Sequence, residues 1–276
     1  MSLPVRRSPR PLSSYWPRRV AQIIPPLLLL ALLLVAWQVW AVATHVPDYL
    51  VPAPSSIWSA TVQERDLLAT NTWPTVQIAV YGFSLAVITG FVLAVAIHYA
   101  RWLEIALYPI LIASQSVPLI ALAPILVVAL GYGLLPKLII VCLICFFPIV
   151  VNTVDGLKRT DPEMRELLRS FGAGRLRVFR EVELPGALPY FFSGAKVAGT
   201  YSVVGALVGE WVGSWQGLGY LMTQKMSELD TAVIFSAMAI LTAMGLAFFG
   251  IIALAARLTM PWYAAEQRRT ADRRER

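Results

Sequence analysis

The sequence predicts an all-α membrane protein of six transmembrane helices. Apolar residues make up 58% of the 276 and charged residues only 14%, far from the balance of a soluble domain. The apolar residues come in runs of about twenty, the length a helix needs to cross the hydrocarbon core. The basic residues are distributed asymmetrically about those runs. Of the 23 Lys and Arg, all but Arg65, Lys137, Lys196 and Lys225 fall on one predicted side. The positive-inside rule therefore places both termini and the charged loop at 155–189 in the cytoplasm. The net charge of +7 follows from this topology and needs no nucleic-acid partner.

Residues 1–20 are rich in Pro and Arg and read as a disordered basic N-terminus. The first span covers about Ile23–Ala43; its apolar run is too long for the core of a signal peptide, so it reads as an uncleaved helix. With the external segment at 44–74 it forms a unit, 21–74. In that segment Pro47, Pro52 and Pro54 favour extended chain. Ser55 or Ser56 then caps a short helix carrying Ile57, Trp58, Val62, Leu67 and Leu68.

A core unit, 75–256, holds the remaining spans. Span two is about Thr75–Ala100. Span three is about Glu104–Leu130, interrupted at Pro109, Pro118 and Pro124, where prolines permit kinks if neighbours or a cavity satisfy the freed carbonyls. Span four is about Lys137–Val154, span five about Ala187–Gly209 and span six about Thr231–Ala256. A basic tail, 257–276, follows.

The charged loop between spans four and five has explicit local chemistry. Asp161 suits a helix N-cap and Pro162 the first helical position. Glu163 lies in the first turn, where it complements the helix dipole, and Gly172 fits as the C′ terminator. These signals predict a helix over Pro162–Phe171 with an apolar stripe of Met164, Leu167, Leu168 and Phe171. A second helical piece, about Arg175–Val182, is predicted to end at Leu184-Pro185. Two short helices with one apolar stripe, at a membrane face, suit the docking of a soluble partner.

Glu166-Leu167-Leu168, then Gly172, then Val182-Glu183-Leu184-Pro185 resembles the EAA loop of permease subunits in bacterial ABC importers. Glu, Gly, Leu and Pro stand at the family spacing; Val182 replaces Ile, and Leu167 and Leu168 replace two alanines. The Val51-Pro52-Ala53-Pro54-Ser55 run is similar to a family signature before the second span, and the segment from Glu210 to Gly219 to one after the fifth. Residues 114–152 are similar to permeases for sulfonates, taurine, nitrate and thiamine-type pyrimidines. Within that group, Ser114-Gln115-Ser116 with Gly131–Lys137 looks most like the hydroxymethylpyrimidine or riboflavin branch.

The resemblance implies a type I importer permease architecture in the bacterial inner membrane, paired as a homodimer. It implies ATPase docking through Glu166, Leu167, Leu168, Gly172, Val182, Leu184 and Pro185. It also implies ABC ATPase subunits as partners, which bind the ATP and Mg, and an external substrate-binding protein. Gly131–Lys137 and Glu210–Tyr220 are the candidate contacts for that protein. No cofactor is expected in this chain, because it carries no phosphate-cradling G-x-x-x-x-G-K-[ST] loop, and so it is not expected to be an enzyme.

Polar residues at predicted bilayer depth are the candidates for lining a pathway. They are Ser114, Gln115 and Ser116 midway along span three, and Thr200, Tyr201 and Ser202 midway along span five. Hydroxyls at such places also serve helix packing, and both readings stand here. Glu210, at the outer end of span five, fits an external gate, a seat for the binding protein, or a solvated helix end. Gly194, Ala195, Ala198, Gly199, Gly205, Ala206 and Gly209 permit close helix approach, including across a dimer interface. Lys196 is placed to snorkel to the cytoplasmic interface. Cys142 and Cys145, spaced C-x-x-C in an apolar run, read as packing residues. An intramembrane enzyme would need convergent titratable groups, and a proton-coupled carrier would need carboxylates inside the spans; the predicted span interiors contain neither.

Overall fold

The computed structural model describes residues 18–263. Expectations for residues 1–17 and 264–276 lie outside that range. The described chain is helical: α1 (Arg18–Ala43), α2 (Pro54–Gln63), α3 (Arg65–Tyr99), α4 (Arg101–Ser114), α5 (Leu119–Leu130), α6 (Leu134–Lys158), α7 (Pro162–Ser170), α8 (Arg175–Val178), α9 (Leu184–Trp211), α10 (Leu218–Ser227) and α11 (Thr231–Thr259). Five segments are long and apolar enough to cross a membrane, six if the bent pair α4–α5 is counted as one broken span.

The bundle is built on α6 and α9, which lie side by side, with α3 against both and α11 against α9. Small residues allow this. A Cβ on Gly194 would run into the Pro148 carbonyl, one on Gly205 would stand 3.0 Å from the Val141 Cα, and one on Gly209 would stand 3.2 Å from the Lys137 Cα. Gly199 does the same on the other face, against Ile252 of α11. The small-residue stripe thus serves packing within the chain. α3, α6 and α11 all lie against α9, and close approach is needed on both its sides.

Several predicted boundaries move. The second span begins ten residues early, since α3 runs from Arg65 through Pro74 to Tyr99. α2 starts at Pro54 with Ala53 as an uncapped N-cap, so neither Ser55 nor Ser56 caps it. Instead the Ser55 amide donates to Gln38 Oε1 and Gln38 Nε2 donates to Ser55 Oγ, both at 3.0 Å. The cap comes from α1, seventeen residues upstream, where no local rule would find it. Otherwise α1 stands at the periphery, its apolar side chains open to the surroundings.

The third span is not continuous. α4 and α5 meet at 101°, with Pro118 as the N-cap of α5. Pro109 and Pro124 lie inside helices; only Pro118 breaks the chain. Serine and glutamine at 114–116 therefore sit at an elbow rather than midway along a helix. Leu184-Pro185 likewise ends nothing. A π-helical turn over Phe179–Glu183 joins α8 to α9, and the Leu184 amide donates to the Phe179 carbonyl five residues back. A proline would clash with the carbonyl four residues before it in a regular helix; the wider turn relieves that clash and lets the helix continue.

The Lys196 ammonium lies 5.9 Å from the centre of the Phe249 ring. Cys145 is buried and its thiol donates to the Ala198 carbonyl at 3.1 Å; both cysteines are free. At the end of α10, Glu228 and Asp230 hold the Lys225 ammonium above its ordinary pKa, and Lys225 in turn holds Glu228 below its own.

Candidate functional site

α7 forms as its sequence demands. The Asp161 carboxylate accepts from the Glu163 amide at 2.9 Å, Pro162 opens the helix, and Gly172 adopts φ +80° beyond its end. The helix stands away from the bundle. Met164, Leu167 and Phe171 are exposed, Phe171 at 78%, as is Leu176 on α8. Glu166 is exposed beside them and Leu168 is half-buried. Val182, Leu184 and Pro185 are half-buried where the π-helical turn passes into α9. The predicted docking residues thus fall into two groups: a free apolar and acidic surface on α7, and a hinge at the root of α9.

Glu183 ties these groups to the bundle. It is only 2% exposed. The Tyr99 hydroxyl donates to its Oε2 at 2.7 Å, His98 Nε2 lies 3.5 Å from the same oxygen, and Arg165 Nη1 lies 3.8 Å from Oε1. Arg165 also donates to the Thr160 carbonyl at 3.1 Å. One carboxylate therefore joins α7, the C-terminal end of α3 and the root of α9. Nothing local distinguishes Glu183 from the other five acids of the loop; the only hint is its place between Val182 and Leu184, on an apolar turn.

The far end of the bundle holds a second buried carboxylate. Glu210 is 1% exposed, so it is not a solvated helix end. The Gly219 amide donates to its Oε2 at 2.7 Å, while Oε1 has no hydrogen-bond partner. The Gly217 amide donates to Asn71 Oδ1 at 3.0 Å and the Leu218 amide to Thr75 Oγ1 at 2.9 Å. Three successive amides at the start of α10 are thereby held by α3 and α9. Gly217 has φ +115°, and a Cβ there would overlap the Glu210 carboxylate. Gly217→Ala should accordingly lower the thermal unfolding midpoint of the purified chain, by an amount equivalent to about 2–3 kcal/mol, the sum of strain and a displaced buried carboxylate. An unchanged midpoint would show that the turn is not held this way. Beside it, Lys137 donates to Ser214 Oγ at 2.8 Å. The two buried glutamates qualify the expectation of carboxylate-free spans: both lie at the ends of α9, because the helix extends past the predicted span at both ends.

The other candidates divide by exposure. Gln115 and Tyr201 share a cavity of about 380 Å³ with Asn152 at the α4–α5 elbow. Thr200 lines a separate cavity, of about 290 Å³, between α9 and α11. Ser114 and Ser116 are exposed at the elbow, whereas Ser202 is buried and donates to the Gly199 carbonyl at 2.7 Å.

Residues 82–263 match the family of binding-protein-dependent transport system inner membrane components. The chain belongs to this family. It is a multi-pass protein of the bacterial inner membrane and a transport component rather than an enzyme, with ATP hydrolysis in a separate subunit. The match takes in every element from the middle of α3 onward, including α7, the Glu183 junction and the Glu210 turn. This permease is 36% identical over 246 residues to the formylaminopyrimidine transport permease protein ThiX of Halalkalibacterium halodurans, covering 89% of this chain and 98% of the relative. It is 36% identical to the riboflavin transport system permease protein RibX of Chloroflexus aurantiacus, covering 86% and 89%. Its fold matches a structure of the inward-facing MetNI methionine ABC transporter with a TM-score of 0.60, at 21% identity over 72% of this chain and 97% of that one. The permease assignment and the fold thus agree with the expectation carried by the loop motif.

Proposed function

We propose that two copies of this permease form the membrane pathway of an ATP-driven importer for a small nitrogen heterocycle, such as a pyrimidine precursor of thiamine or riboflavin. The observation that carries the importer reading is α7: an amphipathic helix at the family's loop position, projecting from the bundle with Met164, Leu167 and Phe171 uncovered. Exposed apolar surface rimmed by charge is the signature of an interaction site. Each copy docks there on an ATPase subunit that binds ATP and Mg. The likeness to ThiX and RibX supports the solute class.

In this reading the termini and α7 are cytoplasmic. The opposite end, with Tyr132 and Trp215 exposed at 74% and 77%, receives the binding protein through Gly131–Lys137 and Glu210–Tyr220. ATP binding draws the two ATPases together, α7 moves with them, and the Glu183 junction passes that movement to α3 and α9. The bundle then changes the side to which its pathway opens, as a rigid-body alternation.

Glu166→Lys and Gly172→Trp test the docking surface. Neither position packs within the bundle: Glu166 is exposed, and a Cβ on Gly172 would meet nothing within 4 Å, so the strain of a side chain at φ +80° stays local to the end of α7. Both variants should insert into the membrane at normal levels and fail to co-purify the ATPase. Retention of the ATPase by both would overturn the assignment.

A further inference from the structure

We propose that the cavity at the α4–α5 elbow is a solute site, and that it takes an uncharged planar heterocycle rather than an anion. This rests on the importer reading above. The cavity of about 380 Å³ lies between the elbow, α6 and α9, within the size range of small-molecule sites. Val197 and Tyr201 place it near the middle of α9, and Phe147 and Pro148 near the middle of α6, so it sits close to half-depth in the bundle.

Its walls are apolar except for three groups. The Gln115 side-chain amide and the Tyr201 hydroxyl make no hydrogen bond among the described residues. Asn152 spends its Nδ2 on the Pro148 carbonyl at 2.8 Å, which leaves its Oδ1 as an acceptor. Free polar groups at bilayer depth are costly unless they face a wet path or a ligand. Together they offer two amide carbonyls, an NH₂ and a hydroxyl, a set that matches the alternating donors and acceptors on a heterocycle's edge. Phe147 and Tyr201 supply aromatic surface for its face.

Charge decides the class. None of the residues lining the cavity is charged. Lys196, next in sequence to Val197, lies instead over the Phe249 ring. An anion held here would meet no counter-charge, although the exposed Gln115 and Tyr201 keep the cavity open. A sulfonate, nitrate or bicarbonate is therefore a poor occupant, while a neutral ring able to form hydrogen bonds on its edge is a good one.

The test uses the importer reconstituted with its ATPase and binding protein in proteoliposomes, with labelled hydroxymethylpyrimidine and labelled taurine as probes. The wild type should accumulate the pyrimidine and not taurine. Gln115→Leu should raise the KM for pyrimidine uptake about ten-fold, and Tyr201→Phe should raise it in the same direction. Gln115→Asn should recover part of the loss. Val197→Trp, which fills the cavity without replacing a polar group, should lower the maximal rate. Pyrimidine uptake with unaltered constants in Gln115→Leu, Tyr201→Phe and Val197→Trp would overturn the site while leaving the importer reading intact. Uptake of taurine instead of the pyrimidine would overturn the solute class. A wild type that neither binds the ATPase nor transports either probe would overturn the importer reading, and this proposal with it.

Discussion

Replacing Glu183 by alanine should destabilise the permease by about 3–5 kcal/mol, the cost of breaking a buried ionic cluster by removing one partner. The carboxylate is nearly inaccessible and faces Tyr99, His98 and Arg165 together. Its loss leaves a tyrosine hydroxyl without an acceptor and an arginine, itself only 24% exposed, without its counter-charge. Glu183→Gln keeps the shape and an acceptor for Tyr99 but removes the charge, and should fall between the variant and the wild type. Thermal unfolding of detergent-purified protein, followed by size-exclusion chromatography, reads the effect directly. A second measurement separates stability from coupling. If Glu183 carries movement between α7 and the bundle, Glu183→Gln in liposomes should lower transport per ATP hydrolysed, even where the ATPase still binds. Equal midpoints for Glu183→Ala and the wild type would remove the junction from the account.

Gly194→Leu is expected to prevent assembly of the bundle. Even the first added atom would collide with the Pro148 carbonyl, and it would come within 3.0 Å of the Asn152 Cβ. The obstacle on that side is backbone, which cannot turn aside as a flexible side chain can. Overpacking of this kind costs about 3 kcal/mol or more, and it falls on the α6–α9 contact around which the other helices are arranged. Gly250→Leu is the control. A Cβ there meets nothing within 4 Å, so its midpoint should stay within about 0.5 kcal/mol of the wild type. A well-folded Gly194→Leu protein, at normal yield and with an unshifted midpoint, would mean that α6 and α9 are not packed this closely.

The local rules succeeded where the signal is short and chemical. Asp161, Pro162, Glu163 and Gly172 define α7 because each acts on a backbone group within a few residues of itself, and the structure has that helix within one residue of the prediction. They failed wherever a distant partner supplied the missing group. Gln38 caps α2 from another helix, and Pro185 is tolerated because a π-helical turn precedes it. The elbow at Pro118 shows the same limit: three prolines in one apolar run look equivalent, yet only one of them breaks the helix.

The candidate sites divide in the same way. The docking stripe on α7 is visible in the amino-acid pattern because an exposed helix shows its period plainly. The roles of Glu183 and Glu210 are not, since an acid beside an apolar segment reads the same whether it faces water or is enclosed. Likewise, Gln115 and Tyr201 are eighty-six residues apart and share a cavity only because the chain bends between α4 and α5.

What the amino-acid order alone determined was the membrane class, the spans in outline and the coupling loop, because hydropathy, charge asymmetry and capping act over one helix or less. What the tertiary structure alone decided was which small residues face α6 and which face α11, which carboxylates are enclosed, and which polar groups share a cavity. Those depend on how helices far apart in sequence approach one another, and that approach is set by packing across the whole bundle.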